Sequence, residues 1–258
     1  MMKKTDLFSF LSRLRSVSAR RDEHHMRSNL SRFCFPVLLV SFILLLSPAS
    51  AHAAKTQDTG PLAILQRIET ARAKTHSLFC KIEVRIPKES GKWSHFPMTV
   101  EFLAPRFYRT EMKMAIEGDV LTVADGKTIW SYEKKRKRVY RQDQQKAIDY
   151  LREWGPYDPT TALLVPEVPL KDLFVLESAS HRKGLLTVLL RPIKPVPGYE
   201  EVKVVFREKT LVPVFAETFS GGKTIGRLVF KKCRKNIKID PARFRFTPPA
   251  GVKVSEVQ

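Results

Sequence analysis

The side chains best suited to catalysis or metal binding are widely separated along this sequence. Downstream of residue 53 the histidines are His76, His95 and His181, which lie in unrelated segments. No G-x-S-x-G, H-E-x-x-H or C-x-x-C motif supplies a nucleophile or closely spaced metal ligands. Asp125 precedes Gly126 between two β-rich runs, which is typical of a hairpin turn rather than of a general base. We therefore expect a protein that is not an enzyme and that has no cofactor or metal site.

Methionines at alternating positions point to a different kind of chemistry, the shielding of apolar cargo. Met98, Met112 and Met114 fall on strand-like segments, and methionine adapts its shape to irregular apolar partners at low cost. We expect a lipid-binding cavity lined by eight inward residues, while an ordinary filled core is the alternative for each of them. These residues are Leu78, Ile82, Met98, Val100, Phe102, Tyr108, Met112 and Met114.

The first fifty or so residues have the features of a secretory signal. An apolar run over residues 33–46 follows Arg27 and Arg32 and precedes small residues suited to cleavage. This run is shorter than the roughly 20 residues that span a bilayer. We predict a cleaved signal peptide over residues 1–53, with the true start possible at Met26, and a single domain over residues 54–258 that is exported to the periplasm.

Two cysteines, Cys80 and Cys233, remain after this predicted cleavage. Thiols tend to oxidise outside the cytoplasm, so a disulfide that joins an early strand to a late strand is one reading. Two separate buried thiols that act as small hydrophobes are the other. The sequence leaves both open.

Hydrophobic periodicity predicts a mainly β protein. Residues 78–86 alternate apolar and polar, and later segments repeat this pattern up to residue 239. Residues 62–74 instead place Leu62, Leu65, Ile68 and Ala71 at helical spacing. About ten short antiparallel strands with helical interruptions indicate one curved sheet, closed or half closed into a barrel, with helices over one face or mouth.

Two helical segments in the middle of the chain are candidates for a lid. Residues 142–154 have helical spacing and stop at Gly155-Pro156, and a short piece follows over residues 159–165. A plain amphipathic helix that caps a core is the alternative to a moving lid. The lid candidates are Ile148, Leu151, Trp154, Leu163 and Leu164.

Positive charge is the strongest compositional bias. Residues 1–53 hold eight of the 46 Lys and Arg and three of the 26 Asp and Glu, which leaves the remainder with a net charge of +15. Predicted export and the lack of a DNA- or RNA-binding motif argue against nucleic acid as the partner. A basic run is a candidate docking site for an acidic partner or anionic headgroups, although such runs are usually solvated. It consists of Lys134, Lys135, Arg136, Lys137 and Arg138.

Two motifs resemble the outer-membrane lipoprotein carrier protein family. Residues 120–132, VLTVADGKTIWSY, are similar to its strand, Asp-Gly-Lys turn and apolar-Trp-x-Tyr strand. Residues 244–252, FRFTPPAGV, are similar to its closing motif. The order of the intervening segments agrees over nearly all of the chain after the predicted signal peptide. The resemblance implies an unclosed antiparallel β-barrel of about ten to eleven strands, with helices covering its mouth.

The same resemblance implies a function. A monomeric carrier would bind lipoprotein acyl chains and move them from an inner-membrane lipoprotein-releasing ABC complex to an outer-membrane lipoprotein acceptor. A carrier of another lipid and a lipoprotein-sensing regulator of the same fold are the alternatives. One position departs from the enterobacterial pattern: an Arg that helps to latch the lid is replaced by Ala104, with Arg106 and Arg109 as nearby substitutes.

Overall fold

Twelve strands form one sheet in the part of the chain that the structure describes. The computed structural model describes residues 60–114, 118–156, 158–164 and 166–257, so the predicted signal peptide and the start at Met26 lie outside the described residues. The strands are β1 (Ser77–Pro87), β2 (Trp93–Leu103), β3 (Phe107–Met112), β4 (Val120–Asp125), β5 (Thr128–Glu133), β6 (Arg138–Asp143), β7 (Phe174–Arg182), β8 (Leu185–Pro192), β9 (Glu201–Arg207), β10 (Val212–Ser220), β11 (Lys223–Lys235) and β12 (Lys253–Val257).

The helices are short. They are α1 (Pro61–Ala73), α2 (Gln144–Trp154), α3 (Pro159–Leu164), α4 (Leu170–Leu173) and a 3₁₀ turn (Pro241–Phe244). Among the described residues, none of these helices combines the length and the apolar character that a membrane crossing requires.

The strand order is β12-β6-β5-β4-β3-β2-β1-β11-β10-β9-β8-β7, which leaves β12 and β7 as the two open ends. This confirms the predicted mainly β, unclosed fold. The number of strands is twelve rather than ten to eleven, because the tail after the closing motif adds β12, which pairs with β6 in parallel. The end of the predicted alternation, residues 236–239, forms no separate strand, since β11 continues without a break to Lys235 and ends there.

The sheet has an inner face that the helices cover and an outer face. Residues directly opposite each other on paired strands share a face. Cys80 of β1 lies opposite Val100 of β2 and Cys233 of β11, and this row points inward. Apolar residues of the inner face and of all four α-helices form one continuous core that extends from α1 to Phe230.

A second, smaller core lies on the outer face. Leu121 and Val123 of β4 pack there against Phe244, which belongs to the C-terminal segment. The ring centroids of Phe107 and Phe244 are 5.9 Å apart, and those of Trp130 and Phe246 are 5.8 Å apart. The closing motif therefore covers the outer face of β3, β4 and β5 and leaves the inner face to the helices.

An ion pair holds this C-terminal segment to β2. Arg243 donates to both carboxylate oxygens of Glu101 at 2.6 and 2.5 Å, and Glu101 is buried. We expect Arg243→Leu to lower the free energy of unfolding by about 1–2 kcal/mol, because it leaves a buried carboxylate without its partner while Arg243 itself is half exposed.

Urea denaturation measures this change, and Arg141→Leu is the matched control. Arg141 forms an ion pair with Glu256 at 3.0 Å in which both side chains are exposed. Such a pair contributes about 0–1 kcal/mol. Equal losses in the two variants would contradict the role assigned to Glu101 and Arg243.

Candidate functional site

Seven of the eight predicted cavity residues lie on the inner face, whereas the buried Met114 follows the end of β3 and has no place in the strand register. The strand register forms one row from Leu78, Phe102 and Tyr108 and a second from Ile82, Met98 and Met112, with Val100 in the row between them. Phe102 has no exposed surface. Most of these side chains belong to one apolar core together with residues of the helices. Those that are buried are Leu78, Ile82, Val100, Phe102, Tyr108 and Met114, whereas Met98 and Met112 are half-buried.

Helix α1 fills the inner face with a different stripe from the predicted one. Its buried apolar residues are Ile64, Leu65 and Ile68, whereas Leu62 is 73% exposed. An α-helix has 3.6 residues per turn, so a face that stays in contact with the sheet includes neighbours at both i+3 and i+4. Residues spaced strictly by three move gradually off that face. The predicted helix is therefore present, but rotated relative to the predicted apolar face.

The lid candidates divide into two groups. Ile148, Leu163 and Leu164 are buried in the inner core, and the half-buried Leu151 packs against it. Trp154 is 50% exposed and pairs instead with Tyr150, with ring centroids 6.1 Å apart. Six residues correspond to about 600° of helical rotation, which turns position 154 about 120° away from Ile148. Trp154 therefore does not share the covering face of α2.

Gln144, the first residue of α2, connects this helix to three other segments. Its Oε1 accepts from the backbone N–H of Gly126 at 3.0 Å. Its Nε2 donates to the carbonyl of Arg106 at 2.8 Å and to Glu167 Oε1 at 2.5 Å. The side chain has no exposed surface, so each of these hydrogen bonds replaces one with water. The sequence gives no sign of this role, because a Gln at a helix start usually faces solvent.

A second polar connection joins α1 to α3 and α4. Arg72 is only 8% exposed, forms an ion pair with Glu69 at 3.0 Å and donates to the carbonyl of Ala162 at 2.8 Å. Glu69 in turn accepts from the backbone N–H of Leu170. Burial lowers the pKa of Arg72, and the charge of Glu69 opposes that shift. Two residues of one helix thus hold the two short helices in place.

The family resemblance places a latching Arg at the position of Ala104, with Arg106 and Arg109 as the expected substitutes. Ala104 is exposed, and its backbone N–H donates to the carbonyl of His76 at 2.8 Å. Arg109 points to the outer face, where it donates to the carbonyl of Arg243 at 3.4 Å. The backbone carbonyl of Arg106 accepts from Gln144 of α2. Gln144 and Arg72 are buried side chains that connect the helices to other segments, and we call them the helix ties. The Nζ of Lys194 also donates to the carbonyls of Arg152 and Glu153 at the end of α2, at 3.1 and 2.7 Å.

Glu167 makes the stability of this arrangement depend on pH. Burial raises its pKa, and the hydrogen bond from Gln144 and the charges of Arg106 and Arg152 only partly oppose the shift. The folded protein therefore binds the proton of the Glu167 carboxyl more tightly than the unfolded chain does. The contribution of Glu167 is most favourable below its ordinary pKa of 4.5 and is lost as pH rises through the raised value.

We expect Glu167→Gln to raise the free energy of unfolding at neutral pH. In the wild type this free energy falls as pH rises from the ordinary to the raised pKa of Glu167, and the variant should show a smaller fall. Urea denaturation at a series of pH values measures this effect. The exposed Glu153→Gln is the control and should leave the profile unchanged. A profile that is identical in wild type and Glu167→Gln would contradict the assignment.

The basic run lies at the turn between β5 and β6, and part of its charge is already neutralised. Lys134 lies 2.9 Å from Glu111 and 3.7 Å from Asp119, and Arg136 lies 3.4 Å from Glu133. Lys135, Lys137 and Arg138 are exposed, and Arg138 is the first residue of β6. The charge available to a partner is therefore smaller than the sequence suggests.

Cys80 and Cys233 form a disulfide in the structure, with their sulfur atoms 2.01 Å apart. The bond joins β1 to β11, the strands where the N-terminal and C-terminal halves of the sheet meet.

Among the described residues, no cluster of three His, Cys, Asp or Glu side chains is arranged to hold a metal ion. Asp125 is the predicted turn residue, and its Oδ1 accepts from the N–H groups of Lys127 and Thr128 at 3.0 and 2.7 Å.

The structure is thus an open sheet with a continuous apolar inner face under short helices that polar side chains hold. The chain matches the family described as outer membrane lipoprotein carrier protein LolA over residues 105–247, more than half of its length. It belongs to this family, whose members are carriers and not enzymes.

Curated relatives agree with this assignment. The chain is similar to the outer-membrane lipoprotein carrier protein of Chromobacterium violaceum, with 30% identity over 134 residues, which are 52% of this chain and 60% of that relative. The match thus spans less than two thirds of that relative's length. The protein of the same description from Dechloromonas aromatica is 28% identical over 225 residues, 87% of this chain and 94% of the relative.

Among solved structures, an uncharacterised conserved protein from Thermus thermophilus is similar in fold. The TM-score is 0.50 at 14% identity, and the match covers 76% of this chain and 98% of that one. At this identity the similarity concerns the fold alone.

Proposed function

We propose that this protein is a periplasmic carrier that binds the acyl chains of lipoproteins on its inner face and protects them from water on the way to the outer membrane. The observation that carries this proposal is the continuous apolar inner core. In this core, strand residues pack together with residues of α2, α3 and α4, the helices that would move when cargo binds. Membership of the lipoprotein carrier family supports the choice of cargo.

The energetics of loading follow from what fills the inner face. Each methylene removed from water contributes about 0.8 kcal/mol, so acyl chains gain a large sum from a dry site. In the closed form Ile148, Leu163 and Leu164 already occupy this surface. When cargo binds, the inner face exchanges its apolar contacts with the helices for apolar contacts with acyl chains. The net free energy of binding is therefore small. Such a balance suits a carrier, which has to release what it binds.

The helix ties then decide how easily the helices move. Opening α2 breaks the hydrogen bonds of Gln144, and opening α3 breaks the bond from Arg72 to the carbonyl of Ala162. A buried hydrogen bond of this kind contributes about 0.5–1.5 kcal/mol. The ties are few enough that gains of apolar contact with cargo can offset them.

The partners in this proposal are an inner-membrane lipoprotein-releasing ABC complex and an outer-membrane acceptor. The basic run from Lys134 to Arg138, in which residues 135–138 are exposed, is the proposed contact for an acidic surface on either of them. The disulfide suits the periplasm, where thiols are oxidised. Export by a cleaved signal peptide is part of the same proposal.

Native mass spectrometry of the full-length gene product, purified from bacterial periplasm, tests this function. The expected result is a population of the protein bound to triacylated lipoprotein. Addition of a synthetic triacylated cysteinyl peptide should load the remainder, and the same peptide without acyl chains should not bind. A protein that binds neither lipoprotein nor the triacylated peptide would overturn the proposal, and bound phospholipid alone would make it a carrier of another lipid.

A further inference from the structure

A row of hydroxyl groups crosses the inner face from β3 to β12. Direct pairing places Thr110 opposite Thr122, Thr122 opposite Ser131, Ser131 opposite Tyr140, and Tyr140 opposite Ser255. Each neighbouring pair of strands is about 4.8 Å apart, so the row offers hydroxyls at a regular spacing. We call these five residues the hydroxyl row.

The register shows which way the row points. Val100 lies opposite Thr110 and belongs to the buried inner core, so its row faces the helices. Thr122 Oγ1 and Ser131 Oγ are 3.5 Å apart, as two side chains on one face must be. The alternate residues Leu121 and Val123 pack on the outer face with the C-terminal segment.

Apolar residues lie on both sides of the hydroxyl row on β3 and β4. On the side of the helices are Tyr108 and Ala124, which are buried, and Ile129. On the other side are Met112 and Val120, which are half-buried, and this row ends on β5 at the buried carboxylate of Glu133. The inner face of β3 and β4 therefore changes from apolar to hydroxylic and back to apolar within three rows.

The hydroxyls themselves are half-buried and have little protein to bind. Over the described ranges, the contact between Thr122 and Ser131 is the one side-chain hydrogen bond that involves any of the five. A strand that only had to pack against apolar cargo would gain more from Val than from Thr, which is similar in shape but carries the hydroxyl. A polar group in such a place is usually paired.

We propose that the hydroxyl row donates hydrogen bonds to the ester and amide carbonyls that attach acyl chains to the cargo. This inference rests on the proposed function, and it specifies which part of the cargo contacts the hydroxyl row and which part contacts the apolar rows. The hydrocarbon tails lie on the apolar rows, and the carbonyls, which only accept hydrogen bonds, lie over the hydroxyls. The row thereby distinguishes acylated cargo from plain hydrocarbon of equal length.

The test compares two probes that differ only in their carbonyls. One is a peptide with an N-acylated cysteine that carries a diacylglyceryl group. The other has the same chain lengths and the same N-acyl amide but carries its two glyceryl chains as alkyl groups through ether linkages, so both probes have the same charge. For wild type we expect the acyl probe to bind at least about tenfold more tightly, because it accepts two or more hydrogen bonds that the alkyl probe lacks.

The informative variant is Thr110→Val, Thr122→Val, Ser131→Ala and Tyr140→Phe combined, which removes hydroxyls with little change of shape. It should bind both probes equally, with the affinity for the alkyl probe unchanged. The double variant Thr122→Val and Ser131→Ala should give an intermediate result if the fourfold variant fails to fold. Thr99→Val removes a hydroxyl from the outer face of β2 and should behave like wild type.

The outcomes separate this inference from the proposed function. Equal binding of both probes by wild type, or a preference that survives in the variants, would overturn the hydroxyl row while leaving the carrier function intact. Wild type that binds neither probe would overturn the carrier function, and the row with it.

Discussion

Met112→Lys is expected to lower the affinity for a triacylated peptide at least a hundredfold. Met112 is half-buried at the open end of the inner face, opposite Met98 on β2 and Val120 on β4. In the free protein a lysine there can reach water. Under acyl chains its ammonium would lose hydration, which costs several kcal/mol, and each 1.4 kcal/mol is a factor of about ten in affinity.

Isothermal titration with the triacylated peptide measures the effect, and Met112→Leu is the matched control. Leucine keeps the apolar volume and should bind within a few-fold of wild type. Urea denaturation should show that both variants remain folded, since the site is not fully buried. Normal affinity in a folded Met112→Lys variant would mean that cargo lies elsewhere.

Loss of the disulfide is expected to have the largest effect on stability. The bond closes a chain segment of 153 residues, and cross-links of this length restrict the unfolded chain strongly. We expect the double variant Cys80→Ala and Cys233→Ala to lose about 2–5 kcal/mol of unfolding free energy. Part of that loss comes from Cys80, which is fully buried beside Val100 and Ile82.

Urea denaturation with and without a reductant separates the cross-link from the packing. Reductant should destabilise the wild type and leave the double variant unchanged. A wild type whose unfolding midpoint does not respond to complete reduction would show that the bond restricts little in the unfolded chain.

The strands were predictable because local signals determine them. Asp125-Gly126 specified the β4–β5 hairpin, and the alternation from Leu78 to Ile86 specified which side of β1 faces the core. β12 was not predictable, since its few residues form a strand only because β6 offers an unpaired edge. For α1, the stripe through Ile64 rather than Leu62 follows from the surface on which the helix lies.

The site was predictable only in its apolar part. Alternation alone brings Val100, Phe102 and Tyr108 to one face, as the register confirms. The helix ties and the hydroxyl row depend on contacts between distant segments. Arg72 and Ala162 are 90 residues apart, and Gln144 and Glu167 are 23 apart, so no local pattern indicates them. Thr110 and Ser131 similarly resemble ordinary strand residues until the register places them in one row.

Hydrogen exchange of the protein with and without bound triacylated peptide tests the central claim, that cargo takes the place of the helices on the inner face. We expect faster exchange in α2 and α3 on loading, because their core contacts and ties are broken, and unchanged exchange in β8 and β9, where Val188 and Val204 stay paired. Loading that leaves α2 and α3 as protected as in the free protein would contradict this claim, because acyl chains would then bind without displacing the helices.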